Sequence, residues 1–416
     1  MNSMIHKSRR FIIRRLIIRR LTIQYYLVSL ILSILCGPSC KSAASNPCDR
    51  YSKDFLEIAL LKSVISDQIP ACDYISLGQT APVYFYVANY NSNSITFFNG
   101  NTGNYLFGTL TNSTFTTGAN PAAIAVNPTG QIVYVANYGA GSATYFNGIT
   151  GAYLNGTLAN STFATGANTQ GIAFKSNTNL IYVTNSGSNT ITYLNAATGA
   201  YLNGSLASAS FTTASYPYYV AANPSANLIY ETNNNVSTVT YFDATTGAYL
   251  NGTLAASSFT TGGGVSGVAV NPTANILYVA NNGATTVTYF NATTGAYLNG
   301  TLASSSFTTG NSPVGVAVNP IANILYVTNY FGNTVTYFNA STGAYANGTL
   351  ANSSFSTGTN PKGVAFSAAV NAVYVTNQGS NTITVFNATT GAYFYGTFAN
   401  SSFATGSGPY AVAVSQ

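Results

Sequence analysis

Charge is scarce in this chain. Asp, Glu, Lys and Arg make up 5% of its 416 residues, against about a quarter in an ordinary soluble domain. Beyond residue 80 only Lys175, Glu231, Asp243 and Lys362 are charged, and that span holds no His, Cys, Arg or Trp. The one histidine is His6. These absences remove the usual means of catalysis, because acid–base chemistry needs a poised titratable group and covalent chemistry a nucleophile beside a base. The abundant Ser and Thr then read as turn and strand residues. The chain is expected to be non-enzymatic, with no cofactor and no metal.

The formal charge of +6 and pI near 9.0 mislead, since seven of the 13 basic residues lie within the first twenty positions. From Cys40 onward six basic residues face seven acidic ones, so no nucleic-acid partner is expected. Tyr and Phe are plentiful, with 32 and 23 residues respectively, which supplies enough apolar surface to fold.

The plentiful residues fall into a repeat. A leading Tyr recurs at Tyr86, Tyr134, Tyr182, Tyr230, Tyr278, Tyr326 and Tyr374, each step 48 residues. Such a fixed period signals one repeat architecture. In the copy around Tyr278 the pattern predicts four strands: Gly267–Val270, Ile276–Asn281, Thr286–Asn291 and Ala296–Leu302. Asn271-Pro272, Asn282-Gly283 and Thr293-Thr294-Gly295 mark the turns between them. In ILYVAN both alternating faces are apolar, so each sheet must be covered on both sides. The array opens on a second strand at Val83–Asn89 and closes on a first strand at Tyr410–Val414. That complementary phase predicts an all-β, seven-bladed β-propeller of four-stranded antiparallel blades, closed by the C-terminal strand pairing into the first blade. Residues 83–416 form this domain.

The segments YVAN, YVTN, YVTN, YETN, YVAN, YVTN and YVTN resemble the YVTN-repeat family of bacterial surface propellers, within a wider lactonase-like group. The resemblance covers residues 83–416 and implies an exported or surface propeller, commonly without known activity. A lactonase-type site would need carboxylates or a metal cluster on the channel face, and the array lacks them.

The first 39 residues read as a signal peptide, with the basic run KSRRFIIRRLIIRR followed by an apolar run from Leu21 to Leu35. The end of that run resembles a bacterial lipoprotein signal of spirochaete type. Lipid attachment falls on Cys40, or alternatively on Cys36; cleavage after Ala44 to give a free secreted protein is the other reading. Starting at Cys40 leaves Cys48 and Cys72 as a pair. Residues 40–82 then form a tether and a small disulfide-linked module with a helix over 53–66. An outer-membrane or cell-surface location, and a membrane partner through the lipid, follow as expectations.

Glu231 stands where the other copies carry Val. It reads as drift, matched by Lys175 or reaching solvent, or else as a ligand contact near the centre. The Asn closing each YVxN segment reads as a turn cap, and the Phe of each ASSSFTTG-type stretch as packing between blades. The leading functional expectation is a surface scaffold for adhesion-like protein or glycan binding, monomeric or weakly self-associating. A self-assembling envelope protein is the alternative, and a lactonase-like enzyme a third.

Overall fold

The computed structural model describes residues 83–127 and 131–415. The signal segment, Cys36, Cys40, the Cys48–Cys72 pair and the helix over 53–66 lie outside them. The described residues form seven four-stranded antiparallel sheets arranged as a propeller. Blade 1 joins the C-terminal strand Pro409–Val414 to Tyr84–Asn89, Ser94–Asn99 and Thr114–Thr116. Blades 2 to 7 begin at Pro121, Thr169, Pro217, Val265, Pro313 and Pro361.

The C-terminal strand pairs into the first blade as expected, with Phe85 opposite Val414, Tyr86 opposite Ala413 and Val87 opposite Val412. Ser415 secures the end, its N–H donating to the Tyr84 carbonyl at 2.9 Å. Without this pairing Tyr84–Asn89 would be an open edge on the inner side of the blade, a template for aggregation.

The second and third strands of blade 5, Ile276–Asn281 and Thr286–Asn291, match the sequence pattern residue for residue. The outer strand does not. Ala296–Leu302 was expected to form it, but there only Tyr297 makes an isolated bridge, to Phe290. The Asn-Gly-Thr that follows turns the chain, with Gly300 at φ +83°. The outer strand is instead Ser306–Thr308, inside the ASSSFTTG-type stretch. Its Phe307 pairs with Val287 across the sheet and packs against Tyr289, ring centroids 4.8 Å apart. The equivalent Phe259 of blade 4 rests on Gly295 of blade 5. A Cβ there would come within 2.2 Å of the Phe259 ring, and Gly295 has φ +74°. Only glycine meets both demands.

The core lies between blades rather than within one. Leu228, Tyr230, Val239 and Tyr241 of blade 4 pack on Val265, Leu277, Val279, Phe290 and Ala292 of blade 5. Each of the Leu, Val and Phe side chains contributes about 1.5–3 kcal/mol on full burial. The leading tyrosines add a directed contact. Tyr278 donates its hydroxyl to the Ala340 carbonyl of the next blade at 3.0 Å, and its ring meets Tyr289 edge-on at 4.7 Å. The same bond recurs from all seven blades, ending with Tyr374 donating to Gly100 at 3.0 Å, which joins blade 7 to blade 1.

Tyr374→Phe should therefore lower stability by about 1–3 kcal/mol, because it strands a buried carbonyl. The midpoint of urea unfolding measures this; an unchanged midpoint would mean that the seam between blades 7 and 1 is held by apolar packing alone.

Candidate functional site

Each blade turns its first strand toward the axis, and successive inner strands approach closely. A Cβ on Gly267 would come within 2.3 Å of the Val314 carbonyl of the next blade. Ser266 donates its hydroxyl to the carbonyls of Pro313 and Val314, at 3.0 and 3.1 Å. The start of each inner strand and the turn after each second strand meet at one end of this ring, as the pairing of Pro361 with Asn377 requires.

At that end the seven copies stop being alike. The second residue of the inner strand is Ala122, Gln170, Tyr218, Ser266, Val314, Lys362 or Tyr410. The first residue of the second-to-third turn is Tyr90, Tyr138, Ser186, Asn234, Asn282, Tyr330 or Gln378. The residue before each inner strand is left-handed in every copy: Asn120, Asn168, Gly264, Ser312, Asn360 and Gly408 suit that conformation, and Tyr216 at φ +59° does not. The strain at Tyr216 is of order 1 kcal/mol. It puts a ring at the mouth where other copies have an amide, a hydroxyl or no side chain.

A cavity of about 320 Å³ opens here, lined by Tyr216, Tyr218, Asn234, Ser266, Asn282, Ser312, Val314, Tyr330, Phe331 and Lys362. The Tyr218 and Tyr410 hydroxyls lie 3.0 Å apart, linking blades 4 and 1. Tyr90 stacks on Tyr410 at 5.1 Å and Tyr216 on Tyr218 at 6.1 Å. The Lys362 ammonium sits 3.4 Å from the centre of the Tyr410 ring and 5.7 Å from that of Tyr330. Burial pushes the Lys362 amine down to about 7, while the π face of Tyr410 favours its charged form. Burial raises the Tyr218 and Tyr410 hydroxyls, so both stay protonated at neutral pH and can donate.

The matches with known proteins bear on this site. The family model for the seven-bladed β-propeller lactonases matches residues 56–155 and 243–393, more than half of the chain. The chain belongs to the seven-bladed β-propeller lactonase family. Among solved structures, a protein from Bacteroides fragilis provisionally assigned as a 6-phosphogluconolactonase is similar. It shows 18% identity and a TM-score of 0.61, covering 80% of this chain and 98% of that one. Its Bacteroides uniformis counterpart gives 17% and 0.60, covering 81% and 100%. A functionally unknown protein from Desulfotomaculum acetoxidans gives 14% and 0.60, covering 80% and 98%. At these identities the likeness concerns the fold. No curated protein matches the chain.

Membership of a lactonase family corrects the expectation of a non-enzymatic, adhesion-like scaffold. That expectation looked for His, Cys and paired carboxylates. Lys362 entered it only as one of the four charged residues beyond position 80. The signal that could have found it was in the repeat: aligned at 48 residues, the inner strand's second position holds six residue types in seven copies. Among the described residues no group of three His, Cys, Asp or Glu side chains could hold a metal.

The residues singled out from the sequence lie elsewhere. Glu231 is on the second strand of blade 4, opposite Val220 and Thr240. It is fully buried, and neither carboxyl oxygen has a hydrogen-bond partner. Lys175 does not pair with it; the amine donates instead to the carbonyls of Asn223 and Ala226. Asp243 caps its own turn, accepting from the N–H groups of Thr245 and Thr246 at 2.9 and 2.7 Å. Asn281 donates to the hydroxyls of Thr286 and Thr288 at 3.0 and 2.8 Å, a turn cap as expected.

Burial lifts the Glu231 carboxyl well above its ordinary 4.5. A raised native value means that stability is fully present below the unfolded value and is lost as pH climbs through the native one. Glu231→Val should therefore stabilise the protein more at pH 8 than at pH 4. Urea unfolding at both pH values tests it, and a gain independent of pH would show that folding does not raise the carboxyl.

Proposed function

We propose that the protein hydrolyses lactones at the channel mouth, with neutral Lys362 as general base. The single observation carrying this reading is a lysine with no carboxylate partner, half-buried against Tyr410 beside a cavity large enough for a small ring. Family membership supplies the reaction class.

The chemistry needs no other titratable group. The Lys362 amine takes a proton from water as the water oxygen attacks the lactone carbonyl. One Tyr hydroxyl of the Tyr218–Tyr410 pair donates to the other, leaving one O–H free to stabilise the developing oxyanion. Collapse of the tetrahedral intermediate breaks the bond to the ring oxygen, which takes the proton back from the Lys362 ammonium. The product is an open-chain hydroxy acid. The basic and apolar N-terminal run supports export, so the proposal places this hydrolysis outside the cytoplasm.

The rate should rise with pH through about 7, as the amine loses its proton, and then level off. Lys362→Met and Lys362→Arg should both cost about 10²- to 10⁴-fold in kcat/KM, the usual share of a positioned base, with the fold intact by circular dichroism. Unchanged kcat/KM in a folded Lys362→Met variant would sink the assignment.

A further inference from the structure

We infer that the substrate is an uncharged lactone ring held flat against the tyrosines of the mouth, and that a phosphorylated lactone is a poor substrate. This rests on the ring-opening reading above. The argument is one of charge. Among the described residues only Lys175 and Lys362 are cationic. Lys175 is buried, and its amine is bound to the carbonyls of Asn223 and Ala226. Among the described residues Lys362 is therefore the one cation that a ligand at the mouth can meet. A phosphate dianion that paired with it would hold it as an ammonium, and an ammonium cannot accept a proton from water. One lysine cannot both bind a phosphate and serve as the base.

The rest of the lining has the composition of a neutral ring's binding site. Tyr216 and Tyr218 stack on one another, Tyr218 is linked to Tyr410, and Tyr330 and Phe331 complete an aromatic wall. Asn234, Asn282, Ser266 and Ser312 add neutral polar groups. All four are already engaged: Asn282 donates to Ser312 at 2.7 Å, Ser266 donates to the carbonyls of Pro313 and Val314, and Asn234 donates to the Val265 carbonyl. Such a surface meets ring C–H groups with aromatic faces and hydroxyls with amides, and offers a second charge nothing. Tyr216 is the clearest mark of purpose. It occupies a left-handed position at φ +59° where other copies have Asn, Gly or Ser. In copies with Asn, such as Asn120 and Asn360, the amide donates to the carbonyl of Tyr90 or Tyr330. Tyr216 gives up that bond and accepts backbone strain, and its ring lines the cavity.

The test uses the full chain with three probes: D-glucono-1,5-lactone, its 6-phosphate and δ-valerolactone, each measured above the spontaneous rate. The expected result is a kcat/KM for the neutral sugar lactone at least tenfold above that for the phosphate. Faster hydrolysis of the phosphate would overturn this inference and leave the ring-opening reading standing. No hydrolysis of any probe would overturn both. Tyr216→Asn separates stacking from structure. The variant restores the residue of other copies, so the melting temperature should rise while KM for the neutral sugar lactone rises about tenfold and kcat changes little. A rise in melting temperature with KM unchanged would remove Tyr216 from the binding surface.

Discussion

Seven buried tyrosine hydroxyls, each donating to a carbonyl of the following blade, are the contact on which the ring depends. They run from Tyr86 to Tyr374, with lengths between 2.7 and 3.0 Å. The hydroxyls and their carbonyls are sealed from water, so each is obliged to find its partner. Apolar packing between sheets is non-directional and would tolerate slippage. A hydrogen bond from a fixed ring to a fixed carbonyl does not, and it sets the angle between one blade and the next. Closure at Phe85–Val414 then follows from seven equal steps.

A scaffold so regular leaves function to whatever breaks the symmetry. The side chains that pack between blades vary little from copy to copy, whereas those at one mouth of the channel differ in nearly every blade. An active site is asymmetric because a substrate is, so a duplicated array gains chemistry only at positions released from packing. The inner strand's second residue, the turn after the second strand and the left-handed residue before each blade are such positions. Lys362, Tyr410, Tyr218 and Tyr216 all belong to them. Glu231 breaks the symmetry differently. It lies within the packed interface between blades, where a carboxyl meets no ligand-accessible surface and only costs stability.

Most of the fold was legible in the residue pattern. Ile276–Asn281 and Thr286–Asn291 are continuous β-branched and aromatic runs bounded by Asn-rich turns, and they form as read. The outer strand was misplaced because Tyr297 and Leu298 sit in an apolar run, while the three residues Ser306–Thr308 give too short a signal. Their strand exists because Phe307 can be buried against Tyr289 and a glycine of the next blade, which is a tertiary contact. The non-enzymatic reading failed for a related reason. Charge scarcity argued against catalysis, whereas in the folded chain burial against Tyr410 brings the Lys362 amine down to about 7.

The sequence by itself determined the number of blades, the order of strands within each and the closure of the ring. These rest on a 48-residue period, on local turn chemistry and on the phase of the array at its two ends, all of which are written along the chain. The tertiary structure alone decided which positions converge at the mouth, how far each is buried and hence which side chain can carry a proton. Tyr218 and Tyr410 are 192 residues apart in sequence and 3.0 Å apart in space, and no local pattern encodes that meeting. Protonation depends on the field and solvent around a group, and for Lys362 both are made by residues from other blades.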